Sequence, residues 1–312
     1  MSRQIPATFQ RGVFRRRDRA SGARSRGRPP GSSSMRSRMG AACVVSIVMM
    51  SIVGWAAPVT AGDIAEWVIA CPFSHRLSDD PIVFPGEPGA AHSHDFFGNE
   101  TTDASSTLRS LESGPTTCGF RPDRAAYWIP TLSSGGKATA PDLVKVYYTS
   151  RHARPATIEP FPRGLKMVAG NGHATGPQST SIVHWDCGEG GPKENRDHPV
   201  DCGSASVQAS IQFPDCWDGS RRDSQDHMEH MAYSADHDDD GRYSCPRSHP
   251  VPVPRIKVTI QWPVHDGTTV TLSSGPAYTL HGDFFDAWRR RALTRLIERC
   301  LVEQVSCGKV GI

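Results

Sequence analysis

The sequence lacks the signatures on which most enzyme assignments rest. It has no G-x-S-x-G elbow, no phosphate-binding loop and no dinucleotide fingerprint, so hydrolase-elbow, P-loop and Rossmann chemistry lose their motifs. No two cysteines stand in a C-x-x-C pair, which removes the main support for zinc-ribbon and thioredoxin readings. H-E-x-x-H is also missing. Long apolar runs are absent: the best, about Ala41 to Val53, is shorter than the roughly 20 residues needed to span a bilayer. Acids are nearly missing from residues 1–38, where eleven arginines accompany Asp18 alone. Such a segment cannot build a core.

That arginine-rich front, the short apolar middle and the small residues after it fit a secretory signal peptide. Val59 and Ala61 fit a V-x-A cleavage site, so residues 1–61 are expected to be removed and 62–312 to form one secreted domain. Met35 is an alternative start that gives a leader of ordinary length, and "FRRRDRA" an alternative twin-arginine signal. The cut inverts the charge. The whole chain carries 35 basic and 32 acidic residues; without eleven arginines and Asp18 it carries 24 against 31, net −7. An acidic protein is a poor partner for nucleic acid. The same cut removes Cys43 and leaves eight cysteines, the even number expected of an exported chain with four disulfides. Eight allow 105 pairings. Sequence neighbourhood favours 187–202, 216–245 and 300–307, leaving 71–118.

Glycine and proline are scattered along the chain, as suits many short elements joined by turns. "SVQASIQF" (206–213) and "RIKVTIQW" (255–262) alternate apolar and polar residues and predict half-buried strands. "LVKVYYTS" (143–150), "TSIVHWDC" and "TTVTLSS" are further candidates. Helical spacing occurs strongly only in "GDFFDAWRRRALTRLIERCL", where Asp283 is placed to cap and Asp286 falls in the first turn. The expectation is a mostly β protein: an antiparallel, sandwich-like single domain with long disulfide-stapled loops and a C-terminal helix.

Imidazole and carboxylate cluster in three places. In "AAHSHDFFGN", His92 and His94 share a face of an extended segment, able to bind a metal together or to serve as acid and base. Asp95 faces away and could orient a ring from behind. In "DSQDHMEHMAY", His227 and His230 would share a face on a helical turn, with Asp223 and Asp226 close by. In "HGDFFDAW", His281 and Asp283 stand two apart. Each has a plain structural alternative: a loop whose histidines satisfy backbone groups, a polar loop held by a 216–245 bridge, and a helix cap. "DHDDDG" (236–241) begins like a calcium loop, but Arg247 stands where the glutamate at position 12 belongs. Trp185 and Trp262 read as core, whereas Trp128 and Trp217, beside Pro, Gly and Asp, could line a groove.

The block "DPIVFPGEPGAAHSHDFFGN", followed in order by "CGFRPDRAAYWIPTL", "GLKMVAGN", "WDCG", "IQFPDCWDGSRRDSQDHMEHMAY", "CPRSHPVPVP" and "HGDFFDAW", resembles the secreted family described as domain of unknown function 1996. The resemblance covers about Asp80 to Trp288. It implies an exported protein in a polysaccharide setting. The matching motif residues are His92, His94, Tyr127, Trp128, Lys166, Asp186, Trp217, Asp218, Asp226, His230, His281 and Asp283. The function expected is cleavage of an extracellular polysaccharide, by hydrolysis or by elimination. Hydrolysis would draw on carboxyls such as Asp226 and Asp123. Elimination would draw on His94 or His230 as base, with Lys166 neutralising a uronate. The catalytic candidates are therefore His92, His94, Asp226, His230 and Lys166, and the substrate-binding ones Tyr127, Trp128, Trp217, Asp218, His281 and Asp283. The alternatives are a non-catalytic module for cell-wall glycan and an exported metal-binding protein using His92, His94 and His230. No cofactor is required by the sequence, but a divalent metal fits it. The protein reads as a monomer, free of the membrane once the leader is cut.

Overall fold

The computed structural model describes residues 64–236 and 241–311. The leader, and Asp238, Asp239 and Asp240 of the calcium-like segment, lie outside them.

Period-two alternation builds the larger sheet. Its strands are β1 (Ala65–Ala70), β5 (Leu143–Ser150), β7 (Val183–Cys187), β8 (Val207–Gln212), β9 (Arg255–Trp262) and β11 (Ser306–Lys309). Their order is β11-β1-β5-β9-β8-β7, antiparallel except for the edge pair β11–β1. Every second residue turns inward: Val144, Val146 and Tyr148 from β5, Ile256, Val258 and Ile260 from β9, all buried.

The second sheet has five strands in the order β2-β3-β4-β10-β6. They are β2 (Phe73–Leu77), β3 (His94–Gly98), β4 (Ala126–Pro130), β6 (Lys166–Gly170) and β10 (His281–Phe285). One face sends Phe97, Tyr127, Ile129, Met167 and Phe284 into the core shared with the larger sheet. The other carries a smaller apolar cluster, Phe96, Trp128, Ala126 and Phe285, packed under Ile82, Leu111 and Ala287. β3, β4 and β10 are consequently buried on both faces, which is why none of them alternates cleanly between apolar and polar residues.

Four disulfides staple the loops: Cys71–Cys118, Cys187–Cys202, Cys216–Cys245 and Cys300–Cys307. These are the pairs that sequence neighbourhood favours. The fold is mostly β with a C-terminal helix, as expected, but the helix starts late. α2 spans Arg290–Leu296, after the shorter α1 (Leu108–Ser113), and continues as a π-helical turn, Ile297–Val302. Asp283 is not its cap. It lies in the middle of β10, paired with Trp128 on one side and Val168 on the other. The reason is packing. Phe284 is buried in the core, and a side-chain carbon at Gly282 would lie 3.0 Å from Ile211. The segment is therefore held flat against the larger sheet. The 224–230 segment is likewise no helical turn; His227 takes φ of 60°. No helix among the described residues is long and apolar enough to cross a membrane.

Candidate metal centre

The outer face of the five-stranded sheet brings the early and late histidines together. Phe96, Trp128, Asp283 and Val168 form one row across β3, β4, β10 and β6. Two residues along, β3 contributes His94 and β10 contributes His281, with Pro130 of β4 opposite His94. His92 follows just outside the strand. The ring centroids lie 4.2 Å apart for His92–His94, 5.1 Å for His92–His281 and 5.8 Å for His94–His281.

Their orientations are fixed from behind. His94 Nδ1 bonds the Asp79 carbonyl at 3.0 Å, and His281 Nδ1 bonds the Thr279 carbonyl at 2.9 Å. A carbonyl only accepts, so each Nδ1 carries the proton and each Nε2 keeps a lone pair. The Nε2 atoms of His92 and His94 are buried with no hydrogen-bond partner. Both carboxylate oxygens of Asp283 are in the same condition, one of them 4.0 Å from His281 Nε2. Ligand atoms of His92, His94 and His281 lie within 4.8 Å of one another, and so do those of Asp80, His94 and Asp283. Asp80 is partly committed: one oxygen accepts the N–H groups of Ile82 and Val83 at 2.8 and 3.0 Å.

Burial sets the electrostatics. It pushes His94 well below its ordinary pKa, helped by His92 and His281, and brings His281 down to about 4. It lowers His92 as well, with His173 adding to the effect. Burial raises Asp283 well above the carboxylate range, with Asp80 adding repulsion. In the bare cluster burial thus favours the neutral form of all three imidazoles and the protonated form of the Asp283 carboxyl. A divalent cation in either triad would take up lone pairs that now lack a partner, and beside Asp283 it would favour the ionised carboxylate. The backbone carbonyls behind His94 and His281 are the partners that metal-bound histidines normally have.

The cluster opens into a cleft of about 350 Å³. Val83, Phe84 and Met228 line it and are exposed, giving it an apolar lip. His173, Asp226 and His227 complete the wall. His227 Nδ1 bonds Asp223 Oδ1 at 2.8 Å, and the other Asp223 oxygen meets Lys166 Nζ at 3.3 Å.

The remaining candidates fall elsewhere. His230 is not one of the converging imidazoles: its Nδ1 bonds Ser224 Oγ and its Nε2 the Lys166 carbonyl, so neither nitrogen can ligate. Lys166 is tied internally, to the Pro81 carbonyl, to Asp223 and over the Phe285 ring. Asp226 lines the cleft but builds its own turn. The Glu229 N–H and the Ser224 hydroxyl hold its carboxyl at about 2, too low for a proton donor at neutral pH. Tyr127 and Trp128 are fully buried and form core and sheet rather than a groove. Trp217 is half-buried, its indole N–H bound to the Arg221 carbonyl, and Asp218 is clamped by Arg221. Asp186 lies on the far sheet, bonded by Gln208. Asp123 is sealed in the core with Tyr127 and Tyr148. Asp95 pairs with Arg76 and Thr131, so it orients no histidine. The convergence of His281 and Asp283 on His94 escapes a local reading. The signal available was the even spacing of H-G-D beside that of H-S-H, two strands each presenting a face.

No curated protein and no solved structure matches the chain. The model of the family described as Domain of unknown function (DUF1996) matches residues 80–288, a span that runs from Asp80 through the histidine cluster to Trp288, and the chain belongs to that family.

Proposed function

We propose that the protein is an exported, metal-dependent enzyme that cleaves an extracellular polysaccharide, with the ion held by His92, His94, His281 and Asp283. One observation carries the reading: the buried Nε2 atoms of His92 and His94 and both oxygens of Asp283 have no partner, inside two triads of close ligand atoms, His92–His94–His281 and Asp80–His94–Asp283, that share His94. Leaving such groups unpaired costs on the order of 1–3 kcal/mol each, and a cation removes that cost. When bound, a first-row divalent ion supplies Lewis-acid polarisation of an oxygen. The chain supplies the rest. Asp223 fixes the His227 ring through Nδ1, which leaves Nε2 to take or give a proton in the cleft. Lys166 fixes Asp223 in turn. Val83, Phe84 and Met228 offer apolar contact to the carbon-bound face of a sugar. The family resemblance and the apolar lip support the saccharide class, and the leader and the four disulfides support export.

Tag-free protein should carry about one equivalent of a transition metal by elemental analysis. A panel of wall and plant polysaccharides, with and without chelator, should give new reducing ends or unsaturated products only with metal present. Absence of a metal after incubation with zinc, manganese, iron or copper would end the metal reading. A loaded protein that cuts nothing but retains glycans would replace the enzyme by a binding module.

A further inference from the structure

The opposite side of the sandwich carries a second groove, on the outer face of the six-stranded sheet. Its volume is about 420 Å³, and its floor is the polar half of the alternation that builds the core. Register places Lys145, Thr259, Ser210 and His184 in one row across β5, β9, β8 and β7. At about 4.8 Å per strand the row is about 14 Å long. A loop walls one end: a side-chain carbon at Gly188 would lie 2.8 Å from Gln261.

Two lysines in this groove make no close ion pair among the described residues. Lys257 stands beside Tyr147, its Nζ 4.5 Å from the ring centroid, and neither Lys257 nor Lys145 has a carboxylate within salt-bridge distance among the described residues. Burial lowers the Lys257 pKa, although Glu66 and Asp186 draw it back up. The carboxylate on the floor is already engaged, with Gln208 at 2.6 Å and Lys193 at 3.9 Å. A half-buried cation held only by a ring face and by carboxylates beyond ion-pair distance is incompletely compensated, and an anionic ligand group would complete the compensation.

The surroundings narrow the ligand. β5, β9 and β8 are paired on both edges, and the outer edge of β7 is already bridged by Arg196 to Trp185, which leaves little free edge for a peptide to join by strand addition. A nucleic acid, charged at every repeat, would meet Asp186 and Glu189 as well as the lysines. A chain with spaced single charges and many hydroxyls fits the alternation better. His184 gives its Nδ1 proton to the Thr180 carbonyl, which leaves Nε2 as an acceptor, and the Ser210 and Thr259 hydroxyls, 2.9 Å apart, offer both donor and acceptor.

We propose that this groove binds a uronate-bearing oligosaccharide, with Lys257 and Lys145 meeting carboxylates and the Thr259–Ser210–His184 row meeting hydroxyls. It is a second saccharide site, independent of the metal centre and standing whether or not that centre is catalytic.

The test is calorimetric titration of the full mature protein with galacturonate oligomers in which each uronate alternates with a neutral sugar, cellulose oligomers of equal length, and polyglutamate as a charge control. The galacturonate oligomers should bind, and Lys257→Gln and Lys145→Gln should each weaken them at least tenfold with unchanged melting. Should Lys257→Gln fail to fold, Lys145→Gln gives the same reading. His281→Ala, which acts on the other cleft, should leave this binding intact. Equal binding of the neutral oligomers, equal binding of polyglutamate, no binding at all, or lysine variants with wild-type affinity would each overturn the proposal.

Discussion

His94 and His281 belong to strands that never pair with each other, yet their rings stand 5.8 Å apart. β4 runs between them and ends there at Pro130, opposite His94. With each Nδ1 anchored to a backbone carbonyl, the approach of the two Nε2 atoms is built into the sheet and not left to rotamer choice.

Replacing either residue should therefore empty the centre without opening the fold. His281→Ala is expected to lower metal affinity at least a hundredfold, and Asp283→Asn, nearly the same shape, at least tenfold. Metal-dependent stabilisation grows as RT ln(1 + [L]/Kd), so the melting shift that metal gives the wild type should shrink or vanish in both variants. A melting curve that still responds fully to metal in His281→Ala would remove that residue from the ligand set.

His227 holds a left-handed backbone, φ of 60°, at the wall of the same cleft. A residue with a side chain is disfavoured there by about 1–2 kcal/mol. His227→Gly should relieve that strain and leave stability equal or higher, while His227→Gly and His227→Gln both lose about 10²–10⁴ in turnover with metal content unchanged. Asp223→Asn should lose less. Full turnover in His227→Gln would reduce the dyad to a structural contact.

How much of this was legible in the sequence depended on distance along the chain. Val207, Ala209 and Ile211 alternate with polar neighbours, so β8 could be read directly, and so could β9. Each disulfide joins cysteines adjacent in the cysteine order, so proximity along the chain was a sound guide. The centre was harder. His92 and His281 are brought together by strand order, and no local period encodes which strands become neighbours. His230 and Asp226 looked as good as His281 in sequence. What separates them is that their polar atoms are already satisfied nearby.

Trp128 shows the same limit from the side of packing. Proline and aspartate around "AAYWIP" made the ring look like a groove wall, but the unbroken apolar run marks a strand buried on both faces. The indole lies 5.6 Å from the Phe96 ring and is wholly buried. Trp128→Ala should thus cost about 3–5 kcal/mol, seen as a large fall in the chemical-denaturation midpoint. Loss of glycan binding with undiminished stability would restore the groove reading.

The core also contains carboxyls that should make stability depend on pH. Asp123 is buried against Tyr127 and Tyr148, and burial raises it to about 7; burial raises Asp286 to about 7 as well. Both sit above the ordinary unfolded value of about 3.9. Between these values the folded state holds more protons than the unfolded one, so stability falls as pH rises from about 4 to 7 and levels off above. That stability is fully present below pH 4 as far as these two groups are concerned. Asp286→Asn keeps the acceptor for the Trp288 N–H but cannot ionise. Urea midpoints measured from pH 4 to 8 should fall less steeply for this variant than for the wild type, and Asp123→Asn should behave alike. Parallel curves for variant and wild type would mean that neither carboxyl changes its proton on unfolding in this range.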